Sequence, residues 1–247
     1  MNTPSNSYQL FGGRLTMIPA AGGYRAAIDP VLLAAAVPAK AGDHILDVGC
    51  GTGAAALCLA RRVPEVQVMG IDRQEPLIEL AEEIAQLNGL ETGVQFHCDD
   101  LQHPSGHLKA AAFDHVMANP PHHKKGSGNP SPDPLKAAAN IEGEAALEDW
   151  IRFCFEKVTE GGSVTFIHRY DRLAELVGQM AKDGRAVTAF PLWPKVMGEG
   201  AKRVLVQSRK GITGDTWVTD GMVLHADDDE YTAEAHAILR EAAALKL

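Results

Sequence analysis

At 247 residues, with 45% hydrophobic and 22% charged side chains, the chain carries enough apolar material for one full α/β core with some decoration. Its 23 basic and 32 acidic residues leave a net charge of −9, which counts against a uniformly basic polyanion-binding face and leaves only local basic clusters for such a role. No run approaches the roughly 18 uncharged apolar residues needed to cross a bilayer, and the start Met1-Asn-Thr-Pro-Ser-Asn6 has no basic segment ahead of an apolar one, which predicts a soluble, cytoplasmic protein with no membrane partner.

After a glycine-rich start (Gly12, Gly13, Gly22, Gly23), Asp29-Pro30 predicts the cap and first turn of a helix over 29–37. Then follow a strand at 44–48, a helix at 53–62, a strand at 66–71, a helix at 75–88 and strands at 93–98 and 113–118. A helix over about 144–158, a strand at 163–168, a helix at 171–183 and strands at 186–192 and 203–208 complete the series. Short strands separated by helices predict βαβ units around a mostly parallel sheet, and the last two strands, with no helix between them, predict an antiparallel pair at one edge. The stretch 126–134, dense in Gly, Pro and Ser, reads as a loop. The expected organisation is a single domain: an N-terminal extension over 1–43, a core over 44–210 and a C-terminal extension over 211–247. Cys50, Cys58, Cys98 and Cys154 are scattered, with no Cys-x-x-Cys pair, and read as free thiols in a reducing compartment.

Two motifs carry the chemistry. Asp47-Val-Gly-Cys-Gly-Thr-Gly53 joins a buried strand to a helix, and Gly49, Gly51 and Gly53 let the turn backbone pass close to a ligand. Gly49, Gly51 and Ala54 also satisfy a dinucleotide fingerprint. Asp72, at the end of the next strand, sits where a carboxylate would accept ribose hydroxyls in either case. Asp47 favours a methyl donor over a hydride carrier, because a carboxylate there would face a methionine amino group but repel a pyrophosphate. The cofactor so implied is S-adenosylmethionine.

Asn119-Pro120-Pro121-His122 ends the apolar run 113–118. An aromatic amine or amide nitrogen is a poor nucleophile because its lone pair is delocalised, so a site that alkylates it must favour the tetrahedral nitrogen that develops. The Asn119 side-chain oxygen and the Pro120 carbonyl, held by the stiff Pro-Pro unit, can accept both N–H protons and localise the lone pair. No strong base is required before transfer; alignment and electrostatics supply most of the gain.

The Asp47–Gly53 pattern resembles motif I of class I S-adenosylmethionine-dependent methyltransferases, and Asn119–His122 resembles their Asn-Pro-Pro-aromatic motif for planar nitrogens, with His122 where Tyr or Phe is usual. Cys98-Asp99-Asp100-Leu101 is similar to the family's acidic third motif, and either Asp99 or Asp100 would contact the cofactor adenine. The resemblance implies a Rossmann-like α/β fold with a seven-stranded, mostly parallel sheet. From Gly12 to about Arg240, through Arg14-Leu-Thr-Met17, Gly23–Leu33 and Tyr231-Thr-Ala-Glu234, the chain resembles bacterial tRNA adenine-N6 methyltransferases that modify adenosine 37. That implies an enzyme with tRNA as partner. Acceptors such as a protein glutamine amide, a small-molecule nitrogen or a ribosomal RNA guanine remain the alternatives. Arg14, Arg25, Lys124, Lys125, Lys202 and Arg203 are the candidate phosphate contacts. His97, Cys98, His103, His107 and His115 straddle different elements and do not predict a metal site. Trp150, Phe153 and Phe155, at near-helical spacing, are expected in the core.

Overall fold

The structure is a computed structural model that describes residue 4 and residues 6–121 and 145–247. His122, Lys124, Lys125 and the expected loop 126–134 lie outside the described residues.

A short hairpin of β1 (Tyr8–Leu10) and β2 (Leu15–Met17) opens the chain, followed by α1 (Asp29–Ala36). The core then alternates: β3 (His44–Val48), α2 (Ala54–Arg62), β4 (Gln67–Asp72), α3 (Glu75–Leu87), β5 (Val94–Cys98), the one-turn α4 (Gly106–Ala110) and β6 (Phe113–Ala118). After the undescribed stretch come α5 (Leu147–Lys157), β7 (Val158–Arg169), α6 (Leu173–Met180), β8 (Arg185–Trp193) and β9 (Arg203–Thr213). Two short strands, β10 (Thr216–Val218) and β11 (Met222–Val223), precede α7 (Ala233–Glu241).

The sheet runs β10-β8-β9-β7-β6-β3-β4-β5, with β11 also paired to β8. Strands β3 to β7 pair in parallel, while β9 inserts between β7 and β8 antiparallel to both. The seven expected strands are all present, but the sheet has nine, because β10 and β11 add in parallel to the outer edge of β8. Those additions are two or three residues long, too short for an alternation pattern to reveal. Strand β7 also starts five residues before its expected edge. Gly161 and Gly162 form a bulge at its start, in which a Cβ on Gly162 would strike the Asp114 carbonyl.

Alternation along the strands sorts the core into two layers. Ile45 and Met117 face the cluster built with α1, α2, α3 and α7, whereas Leu46, Val48, Val116 and Ala118 face the cluster under α5 and α6. The N-terminal hairpin packs on α2 and α3. It is fixed by Asn88, whose amide exchanges hydrogen bonds with the Thr16 backbone at 2.9 and 2.8 Å. Helix α7 was absent from the sequence reading, although Thr232 is a proper N-cap, its hydroxyl accepting from Ala235 N–H at 3.2 Å. No helix among the described residues is long and apolar enough to cross a membrane.

Candidate active site

Strand register sets the site. Val48 pairs with Ile71 and with Ala118, and Asp72 pairs with Cys98. The residues just beyond those partners, Gly49, Asn119 and Asp99, together with Asp72, therefore fall in one row along the carboxyl edge of the sheet, where open α/β sheets bind ligands. A cavity of about 190 Å³ lies there, lined among others by Asp47, Gly51, Asp72, Asp100, Asn119 and Trp150.

The glycine loop is held from two sides. Gly49 and Cys50 N–H donate to the Ile71 carbonyl at 2.8 and 2.9 Å, and Gly51 N–H donates to Asp72 Oδ2 at 3.0 Å. All three glycines have left-handed φ values of +70°, +55° and +77°, which other residues adopt only with strain. Their roles differ from the sequence expectation. A Cβ on Gly49 would run into the Trp150 ring and one on Gly53 would lie 2.5 Å from Phe96 Cζ, while Gly51 has nothing within 4 Å. Gly49 and Gly51 both line the cavity; at Gly49 and Gly53 the missing Cβ also makes room for aromatic side chains of the protein itself, whereas Gly51 borders open space.

Asp47 is 2% exposed, and its Oδ2 accepts from Ala56 N–H in the first turn of α2 at 3.2 Å. Burial lifts its carboxyl to about 7, against the Ala56 hydrogen bond and with help from the Asp72 charge. Asp72 is also raised by burial, while the N–H groups of Gln74 and Gly51 pull the other way. Its Oδ1 accepts from Gln74 N–H at 2.9 Å. Of the two neighbouring acids, Asp99 is absorbed by the fold: its oxygens take Asp100 N–H, Ser105 N–H and the Ser105 hydroxyl at 2.9, 3.0 and 2.7 Å. Asp100 spends one oxygen on Gln102 N–H at 2.9 Å and stands 3.7 Å from His103 Nδ1.

At the other end, Asn119, Pro120 and Pro121 line the cavity. Asn119 Oδ1 is buried, and no described residue donates to it. A buried amide oxygen without a donor costs on the order of 1–3 kcal/mol, which a ligand N–H would recover. The carboxylates Asp47, Asp72, Asp99 and Asp100 face the cavity against Arg73 as the one cation among its described lining residues. That field favours a cationic ligand and opposes a doubly negative pyrophosphate, which decides between the two cofactors left open by the glycine spacing. S-Adenosylmethionine, with its ammonium and sulfonium charges, fits this donor set.

A family model described as a methyltransferase domain matches residues 39–235. The chain belongs to the methyltransferase-domain family. This methyltransferase is 26% identical over 209 residues to the tRNA1(Val) (adenine(37)-N6)-methyltransferase of Haemophilus influenzae strain PittEE, covering 83% of this chain and 84% of that protein. A Vibrio campbellii protein of the same name is 31% identical over 140 residues, or 56% of each chain. The crystal structure of a predicted O-methyltransferase from Agrobacterium tumefaciens shares the fold, with a TM-score of 0.73 at 23% identity over 89% of this chain and 99% of that one.

The remaining expected residues of the methyltransferase are dispersed. Arg14 donates from Nη1 to the Arg240 carbonyl and so ties the hairpin to α7. Arg203 Nε pairs with Asp29 Oδ2 at 2.7 Å, locking the start of β9 to α1. Arg25 lies 5.2 Å over the Tyr8 ring, beside the cavity-lining Tyr24. Lys202 is exposed. Phe153 and Phe155 are buried as expected, but Trp150 reaches the cavity. Tyr24, Arg73 and Gln102 also line it and went unnoticed in the sequence. Arg73 and Gln102 follow Asp72 and Asp100 by one and two positions, a signal that was available; Tyr24 had none.

Proposed function

We propose that the protein methylates the exocyclic N6 of an adenosine in tRNA, at position 37 beside the anticodon, with S-adenosylmethionine as donor. The observation that carries the chemistry is the buried Asn119 Oδ1, an acceptor without a described donor at the cavity wall. The curated relatives named as tRNA1(Val) adenine-37 enzymes support the substrate.

Bound S-adenosylmethionine supplies an electrophilic methyl group on a sulfonium. Asp47, immediately before the glycines, would take the ammonium of the methionine end, and Asp72 would take the ribose hydroxyls with the lone pairs its backbone bonds leave free. Asp100 is the adenine contact, since it accepts one backbone hydrogen bond where Asp99 already accepts three hydrogen bonds. Asn119 Oδ1 and the Pro120 carbonyl accept the two N6 hydrogens, which holds the nitrogen lone pair along the line of attack. The proton shed after transfer is acidic and leaves to solvent without a dedicated base. Arg25, Lys202, Lys124 and Lys125 are the phosphate contacts. Arg14 and Arg203, engaged with Arg240 and Asp29, serve the RNA surface indirectly by fixing the hairpin and α1. The extensions 1–43 and 211–247 belong to the same domain as the core 44–210.

The test is methyl transfer to total tRNA from a strain lacking the gene, with nucleoside mass analysis of the product. N6-Methyladenosine is expected; methylation of another nucleoside, or of protein alone, rejects the assignment. Asn119→Ala should cost about 10²–10³ in kcat and leave cofactor affinity within a few-fold, because that oxygen serves the acceptor.

A further inference from the structure

The cavity has an aromatic wall residue outside both motifs. Tyr24 lines the cavity and is 37% exposed. It sits on a tight turn in which Ala20 N–H donates to the Tyr24 carbonyl at 3.1 Å and Gly22 and Gly23 take φ of +71° and +74°. Anchors flank it: the Tyr8 hydroxyl accepts from Ala26 N–H at 2.8 Å, and Asp29 pairs with Arg203 at 2.7 Å. Helix α1 begins directly after this segment and packs over β6 and β7. Arg203 registers with Arg169 at the carboxyl end of β7, the strand beside β6, so the Asp29 anchor sets this segment on the β6–β7 side of the cavity that Asn119 also lines.

The opposite, nucleoside end of the cofactor site lies at β4 and β5, two and three strands from β6, or roughly 10–14 Å at ~4.8 Å per strand. The Asp29–Arg203 anchor of the Tyr24 segment lies on the far side of β6 from those two strands. Trp150 enters from the other face of the sheet, and its ring is packed on Gly49. No described aromatic residue stacks on Tyr24. Burial pushes its phenol pKa up, with Asp29 adding to that, so the ring is neutral at physiological pH.

We propose that Tyr24 is the substrate-stacking residue: its ring takes one face of the planar amine-bearing heterocycle whose two N–H groups are held by Asn119 and Pro120. This rests on the adenosine reading above. A tyrosine ring suits an extruded base because it offers a rigid apolar face with few rotamers to freeze, and its fixed turn presents that face before the RNA arrives.

The experiment uses the full chain, S-adenosylmethionine and an unmodified valine tRNA transcript, with Tyr24→Ala, Tyr24→Phe and Tyr24→Leu. Tyr24→Ala should lower kcat/KM for the RNA by about 10- to 100-fold, the effect of removing one stacking ring, with cofactor Kd within twofold of the parent. Phenylalanine should restore most of the loss and leucine, of similar bulk without a π-face, should not. Weakened cofactor binding in Tyr24→Ala, or leucine performing as well as phenylalanine, overturns the proposal. An active parent with an unimpaired Tyr24→Ala removes this inference alone; a parent that leaves the transcript unmethylated removes the adenosine reading and this inference with it.

Discussion

Alanine at Gly49 and at Gly51 should separate packing from ligand contact within one loop. Both positions have left-handed φ, +70° and +55°, so each substitution carries a backbone strain of roughly 1–2 kcal/mol. At Gly51 that is the whole cost, since the new methyl meets nothing within 4 Å. At Gly49 the methyl overlaps the Trp150 ring, and overpacking adds about 1–3 kcal/mol. For a chain of this length 1 kcal/mol moves Tm by roughly 2–4 °C. Gly51→Ala should therefore lose about 2–8 °C and Gly49→Ala about 4–20 °C, read by differential scanning fluorimetry. Titration calorimetry should show the reverse order for cofactor: Gly51→Ala weakens binding at least ~10-fold, because its methyl enters the cavity, and Gly49→Ala weakens it less. Adding Trp150→Leu to Gly49→Ala should return about 1–3 kcal/mol of the loss in a double-mutant cycle. Equal melting temperatures for the two single variants, or no coupling to Trp150, would refute this account of the glycines.

Cofactor affinity should depend on pH through Asp47. Its carboxyl, near 7 when buried without a ligand, must be ionised to face an ammonium, so Kd for S-adenosylmethionine should rise about tenfold per pH unit below 7 and level off above it; a flat profile from pH 5.5 to 8 contradicts that role. The same group has a folded pKa above its unfolded value of 3.8, so the ligand-free protein holds an extra proton between the two and this contribution to stability declines as pH rises through that window. At the amino edge of the sheet, His115 lies between Ser163 Oγ at 2.7 Å and Asp43 Oδ2 at 3.2 Å. Burial lowers its pKa from 6.5, chiefly against the Asp43 hydrogen bond. Folding thus favours the neutral ring, and the stability it supplies is present above 6.5 and lost as pH falls below that value; His115→Gln should flatten the melting temperature between pH 5.5 and 7, and an unaltered slope would exclude the histidine. Charge reversal at Arg25 and Lys202 should weaken RNA binding and shrink its salt dependence while sparing cofactor affinity, and unchanged RNA affinity at low salt would remove them from the interface. Reversal at Lys124 and Lys125 should act in the same way.

The central sheet was legible because its strands are short apolar runs bounded by glycine and helix caps, and β3 and β6 fall at their expected bounds. The edges were not. β10 and β11 take their conformation from the free edge of β8, a tertiary effect that local pattern does not contain. The cavity wall was legible where chain order and strand register coincide: Asp47, Asp72 and Asn119 all line it. That Asp99 is engaged by the chain more fully than Asp100 was closed to sequence, because it turns on Ser105. Tyr24 was closed for a similar reason: the Tyr8–Ala26 and Asp29–Arg203 contacts bring it to the cavity, one joining positions 18 apart and the other 174 apart in sequence.

Asp72 braces the loop it faces. With Gly51 N–H on one oxygen and Gln74 N–H on the other, the carboxylate fixes the turn through bonds within the chain itself, so little ordering entropy is left for the donor to lose on arrival. Capture should then follow simple one-step kinetics, with an observed rate that climbs linearly with donor concentration and no saturating isomerisation. Asp72→Asn would turn one acceptor into an amide donor facing a backbone N–H, and a lag before binding is its expected mark.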